Sequence, residues 1–173
     1  MPNKTAPSQK STPAKAASPN AIKLLTEDHS EVHALFQKYT KLAQKHAAGD
    51  ARQAQAEQIC LLLTVHATIE EEIFYPAARE AKVDAALLDE AEVEHGTCKD
   101  LIDQIRAMDP SDALYDAKVV VLGEYISHHA KEEQDEMFPK CRDTAMDLKA
   151  IGAALQARKA DLMAEMTEGM VAA

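Results

Sequence analysis

The 173-residue sequence has no tryptophan, only 4% aromatic residues, five glycines and three cysteines. With aromatics this scarce and no β-branched runs, there is little from which to build a strand core. Cys60, Cys98 and Cys141 are odd in number, far apart and free of any Cys-x-x-Cys pairing, so they fit small buried reduced thiols rather than a disulfide framework. No stretch approaches the roughly 18–20 consecutive apolar residues of a membrane span, and no apolar signal core follows Met1. A soluble cytoplasmic protein with no membrane partner is expected. Positive charge is also in short supply. The 19 Lys and Arg face 29 Asp and Glu, a formal net charge of −10, and phosphate recognition needs the opposite balance, which argues against nucleic acid as a partner. A phosphate-cradling glycine loop, a nucleotide fingerprint and a nucleophilic triad are missing too, so any chemistry would have to be carried by something the chain binds.

What is present is helix-forming. The chain is 46% hydrophobic and dominated by Ala, Leu, Glu, Lys and Gln. Residues 1–19, rich in Pro, Ser, Ala and Lys, read as a disordered tail. From an N-cap at Asn20, the apolar positions Ile22, Leu25, Val32, Phe36 and Tyr39 predict a first helix to about Lys45. A second helix, capped by Asp50, carries Ile59, Leu62, Leu63, Ile69 and Ile73 inward and ends soon after Pro76, which should kink or tighten its last turns. Asp84 caps a third helix, with Leu88 and Ile102 on its core line. The break at Asp109-Pro110-Ser111-Asp112 lets Ser111 or Asp112 open a fourth, with Leu122, Tyr125, Ile126 and Met137 facing in and a stop near Pro139 to Cys141. Short loops favour antiparallel neighbours, so residues 20–141 predict an all-α up-down-up-down four-helix bundle. Residues 142–173 form an accessory C-terminal helix whose seam of Leu148, Ile151, Leu155 and Leu162 is suited to dock on the bundle or to pair two chains as a homodimer.

Two stretches of this pattern share one spacing, His-x-x-x-Glu-x-x-x-x-x-Pro: His66, Glu70, Pro76 and His129, Glu133, Pro139. A His and a Glu four apart lie on one helix face, one turn above the other, and can serve one centre. On the other two helices, His29 and His95 fall on the apolar stripes. A lone inward His is most often a satisfied core residue, but the conjunction of four with two glutamates is not explained that way. Buried ionised carboxylates cost several kcal/mol unless paired, and no inward Lys or Arg is available for Glu70 and Glu133. Cations would meet that need. Imidazole and carboxylate without thiolate suit iron or manganese, with zinc and copper as further options.

Asp28-His29, the string HATIEEEIFYP from His66, Glu94-His95 and the string HHAKEEQDEMFP from His128 together resemble the hemerythrin-like HHE cation-binding family over residues 20–140. The resemblance implies a bundle holding two iron ions, in preference to manganese or zinc, bridged by two carboxylates and an oxo or hydroxo group. His29, His66, His95 and His129 would be terminal ligands and Glu70 and Glu133 the bridges. Lys99 stands where oxygen-carrying hemerythrins have a second histidine one turn after the third-helix ligand. Their last carboxylate is an Asp five after its His, whereas Glu133 comes at four. Fewer ligands leave more open positions, which points to binding or reacting with O2, peroxide or nitric oxide in sensing or oxidative and nitrosative stress defence. Oxygen carriage, a ferroxidase or iron-storage activity, and an interaction module with a structural metal are the alternatives, the second disfavoured because ferritin-like sites use Glu-x-x-His. Near the six, His33 could add a fifth imidazole or hydrogen-bond at the bundle's edge. Glu94 and Tyr125 could orient imidazoles or donate to a bound oxygen species, Tyr125 being equally suited to a plain core role. His46, His128, Glu71, Glu72, Glu132 and Glu136 read as solvated, and the apolar lining is expected from Phe36, Leu62, Leu88 and Leu122.

Overall fold

A computed structural model describes residues 20–172; the expected disordered tail, residues 1–19, lies outside them. Helix α1 spans Ala21–Gln44, opened by Asn20, whose side chain accepts from the Lys23 amide at 2.9 Å. Helix α3 spans Ala85–Arg106 behind Asp84, which accepts from the Ala86 amide at 3.1 Å. Two expected caps are not used. Helix α2 begins at Gly49 after Ala48, which puts Asp50 inside the first turn, where its charge still suits the positive end of the helix. Helix α4 begins at Tyr115. Ser111 and Asp112 belong instead to the turn before it, where the Asp109 carboxylate accepts from the Ser111 amide at 2.8 Å and that of Asp112 from the Asp109 amide at 3.0 Å.

Both α2 and α4 are interrupted by a π-helical turn, and neither stops at its proline. Helix α2 runs Gly49–Ile69, then a π-helical Glu70–Phe74, then Tyr75–Glu80. Helix α4 runs Tyr115–Glu132, then a π-helical Glu133–Met137, then Phe138–Arg142. Of the kink or tightening expected at Pro76, the tightening is replaced by a widening of the turn before it. Proline has no N–H to give and its ring crowds the carbonyl four residues back. One extra residue in the turn relieves both, and the Tyr75 and Phe138 amides bond back five residues to the carbonyls of Glu70 and Glu133. The same widening reorients the residues beyond each turn. At about 100° per residue, Glu70 and Tyr75 would stand about 140° apart on an ordinary helix, but here both are buried.

The four helices pack up-down-up-down, and α5, Leu148–Ala172, lies along α1 and α2. Its seam packs within the chain: Leu155 and Leu162 are buried, with Leu148 and Ile151 against the same cluster. The core has two apolar ends. One contains Leu25, Ile69, Phe74, Leu88, Phe138 and Leu155, the other Val32, Tyr39, Ile59, Leu63, Ile102 and Leu122. Between them lies a layer of buried polar side chains from all four bundle helices. Leu155→Ala, which opens a cavity where α5 meets the bundle, should cost about 2–5 kcal/mol in urea unfolding; a loss under about 0.5 kcal/mol would mean that α5 adds nothing to the core.

Candidate metal centre

The polar layer contains all six residues expected from spacing: His29, His66, Glu70, His95, His129 and Glu133, each buried. The amphipathic spacing of the four helices accounts for this, since each side chain occupies a stripe position that would otherwise be apolar. The imidazoles meet in pairs through Nε2, His29 with His66 at 3.1 Å and His95 with His129 at 3.1 Å. Glu70 Oε2 lies 3.2 Å from Nε2 of His66 and 3.4 Å from Nε2 of His95. Glu133 Oε2 lies 3.2 Å from Nε2 of His29 and 3.6 Å from that of His129. Each carboxylate therefore reaches from one imidazole pair to the other.

The Nδ1 atoms turn outward and are held there. Glu94 accepts from His129 at 2.7 Å, Glu71 from His95 at 2.9 Å and Asp28 from His66 at 3.5 Å, while the Gln134 amide lies 3.0 Å from Nδ1 of His29. With the Nδ1 protons of three rings committed to carboxylates, their Nε2 atoms face the centre as bare lone pairs. The lone pairs of His95 and His129, 3.1 Å apart, repel unless something positive lies between them. Two donors each about 2.1 Å from one cation, in neighbouring coordination positions, stand about 3 Å apart. Both oxygens of Glu70 and Oε2 of Glu133 are buried without a hydrogen-bond donor, and among the described residues no Lys or Arg pairs with either acid. The donor set fits two cations, one among His29, His66, Glu70 and Glu133 and a second at Glu70, His95 and His129.

Electrostatics without the cations are strained. Burial, then the charge of Glu133, pushes the Glu70 carboxyl well above its ordinary value. Glu133 suffers the same desolvation, but His129 and His29 outweigh it and hold it down at about 2. Burial lowers His66, and burial with the neighbouring His129 lowers His95 to about 4. For His129 burial acts downward too, yet Glu133 and Glu94 carry it above the ordinary value.

Beside the imidazoles is a small cavity of about 20 Å³, with Val32, Leu63, Ile102 and Ile126 on its apolar walls. That is room for a molecule of two or three atoms. Of the expected lining, Phe36, Leu62 and Leu122 belong to the neighbouring apolar end and Leu88 to the opposite one.

Of the flanking candidates, Glu94 orients His129 as described. His33 is exposed and bonds Gln37 at 2.9 Å, the edge role rather than the fifth imidazole. Tyr125 is 45% exposed and is neither an inward core residue nor a donor to the centre. It falls about 40° to one side of His129, whereas Leu122, Ile126 and Glu133 fall about 20–60° to the other, so it sits beyond the stripe's edge. Three residues escaped the sequence reading. Glu71, taken as solvated, is half-buried between His95 and Lys99, which donates to both its oxygens at 2.6 and 2.7 Å. Gln134 is its equivalent on α4. Tyr75 places its hydroxyl 3.0 Å from Glu133 Oε1, to which it donates, and 3.3 Å from Nε2 of His95. The signal was Pro76 one residue later, since a π-helical turn before proline brings the preceding aromatic inward.

The profile of the Hemerythrin HHE cation binding domain family matches residues 20–141. A Nostoc sp. protein named DNA nickase is 30% identical over 126 residues, 72% of this chain and 34% of that protein, so the chain spans about a third of that relative's length. A crystal structure of a hemerythrin HHE cation-binding domain-containing protein from Mycobacterium kansasii superposes with a TM-score of 0.69 over 85% of this chain and 89% of that one. At 24% identity that likeness shows the shared fold.

Metal-free protein should carry two opposed pH slopes. With its folded pKa raised, Glu70 keeps a proton that the unfolded chain loses above about 4.5, so stability falls as pH rises from there through the folded value. His95, lowered from 6.5 to about 4, refuses a proton that the unfolded chain accepts, so stability also falls as pH drops through that window. Glu70→Gln should remove the first slope. It should raise the neutral-pH melting temperature of metal-free protein by about 2–4 °C per kcal/mol recovered, while weakening cation binding. Melting curves from pH 4 to 9 that overlay those of wild type would show that Glu70 is not a strained buried acid.

Proposed function

The chain belongs to the hemerythrin HHE cation-binding domain family, and from that premise we propose that it holds two iron ions and uses them to bind or react with O2, peroxide or nitric oxide. The observation that carries this reading is the set of three donorless carboxylate oxygens, on Glu70 and Glu133, facing four inward imidazole nitrogens. His29 and His66 would hold one ion and His95 and His129 the other, with Glu70 and Glu133 spanning both. When bound, the ions supply a redox change and open coordination positions for a small ligand. The protein does the rest: Glu71, Glu94 and Asp28 fix the tautomer and aim of three imidazoles. The apolar walls of the cavity exclude bulk water and limit ligands by size.

The two ends are not backed equally. Asp28 is neutralised by Lys159 of α5, and the other outward partner on that side, Gln134, is uncharged. On the far side Lys99 offsets Glu71, and Glu94 has the exposed imidazole of His128 at 3.7 Å in place of a lysine. This difference favours a reactive or sensing centre over a symmetric store. We extend no DNA activity from the Nostoc relative, because the net charge of −10 opposes phosphate binding. No helix of the described residues is long and apolar enough to cross a membrane, and we take the site of action to be the cytoplasm.

Anaerobic loading with ferrous iron should retain two ions per chain, and oxygen, peroxide or nitric oxide should then change the optical spectrum. His66→Ala or His129→Ala should lower iron affinity at least about 10-fold. A protein that holds no iron under these conditions, or iron-loaded protein that nicks supercoiled plasmid but ignores all three small ligands, would sink the reading.

A further inference from the structure

The halves of the centre repeat each other: His29 corresponds to His95, His66 to His129 and Glu70 to Glu133. One residue before these positions the repeat pairs Asp28 with Glu94, Val65 with His128 and Ile69 with Glu132. On the first half those positions are closed. Val65 and Ile69 are buried in the apolar cluster that contains Leu155 of α5, and Lys159 of α5 donates to Asp28. On the second half they are open: the His128 side chain is 60% exposed, and Glu94 and Glu132 are half-buried. Helix α4 therefore carries the His-x-x-x-Glu spacing twice, His129 with Glu133 facing in and His128 with Glu132 about 100° further round. Nε2 of His128 lies 3.3 Å from Oε1 of Glu132 and 3.7 Å from Oε1 of Glu94. One donor atom from each of the three falls within 4.8 Å of the others, and among the described residues no lysine or arginine pairs with either acid.

Resting on the reading of an iron pair, we propose that Glu94, His128 and Glu132 form a third cation site, which captures a divalent ion at the surface and passes it to the buried centre. Two observations set it apart from a solvated cluster. The first is a cavity of about 10 Å³ shared by both sites: Glu94 and Glu132 line it from the cluster, His129 and Glu133 from the centre, with Leu87 and Met137 as apolar walls. That is room for one water-sized particle, so an ion passes only after shedding most of its water. The second is Glu133 itself, 1% exposed, which lines this cavity and has in Oε2 a buried oxygen without a hydrogen-bond donor. An ion leaving the cluster thus meets an unsatisfied carboxylate at the inner end. Glu94 serves both sites without conflict, because Oε2 accepts from Nδ1 of His129 at 2.7 Å while Oε1 is turned to His128. The donor spacings in the cluster are close to those of neighbouring positions around one ion. With three protein donors and water in the other positions, the ion is held firmly enough to collect and loosely enough to move on.

The test mixes the metal-free full chain with limiting ferrous iron under anaerobic conditions and stops uptake at intervals with a coloured ferrous chelator, which takes only iron outside the buried centre. His128→Ala, and His128→Ala with Glu132→Gln, should load at least about 10-fold more slowly than wild type, yet reach the same two ions per chain and the same optical spectrum after oxidation. His128→Ala removes no negative charge, and Glu136→Gln, which removes an exposed acid outside the cluster, should load at the wild-type rate. Equilibrium dialysis against Zn²⁺ should count three ions per chain in wild type and two in the double variant. Loading of the double variant at the wild-type rate, equal slowing in Glu136→Gln, or wild type that holds only two zinc ions overturns the proposal. The zinc count is read on the unaltered chain, so a variant that fails to fold leaves the test intact. Wild type that never protects iron from the chelator would instead overturn the iron reading beneath it.

Discussion

Two carboxylates facing each other in a dry layer are the constraint to which the rest of this molecule answers. Glu70 and Glu133 lie between two apolar clusters, and no lysine or arginine among the described residues pairs with either. An unpaired buried carboxylate costs several kcal/mol after relaxation, and a second one beside it adds repulsion. Four imidazoles surround the pair, and three carboxylates turn three of them so that nitrogen lone pairs, not N–H groups, face inward. Such an arrangement stabilises nothing by itself. It becomes favourable when positive charge enters, which couples cation binding to the stability of the core.

Much of the layer was legible in the sequence because helical periodicity is a strong signal. His66 and Glu70, or His129 and Glu133, four apart on an amphipathic stripe, can hardly avoid sharing a face, and His29 and His95 follow from the same count on the other helices. Asn20 and Asp84 carried the cap chemistry they promised. What was not legible depended on departures from the regular helix. The π-helical turns before Pro76 and Pro139 shift the phase of everything after them, so a constant 100° step loses Tyr75. The same step overestimates Tyr125, because it counts distance along the stripe but not how far the neighbouring helices extend over its edge. Glu71 looked solvated because its partners, His95 and Lys99, come from α3, and contacts between helices have no signature in local spacing. Asp50 and Ser111 were plausible caps, but the residues that precede the two helices are Ala48 and Leu114, a few residues away in each case.

The internal repeat explains the geometry, and its imperfections bear on the function. A perfectly duplicated site would hold two equivalent ions. Here Glu71 is matched by Gln134, Lys99 by His33 and Tyr75 by Phe138, and α5 adds Lys159 against Asp28 on one side alone. Each substitution changes the charge or donor strength at one end of the centre while the four-helix frame is kept. Lys99 shows the link between chemistry and solvent: it lines the cavity, yet its ammonium group reaches out to the half-buried Glu71 that orients His95.

The most direct test of the paired-cation centre is anomalous diffraction from crystals of the iron-loaded protein, measured on both sides of the iron edge. Two peaks about 3.5–4 Å apart, one between His29 and His66, the other between His95 and His129, with Glu70 reaching both, are the expected result. A single peak, or peaks outside the layer between the two apolar clusters, would contradict it.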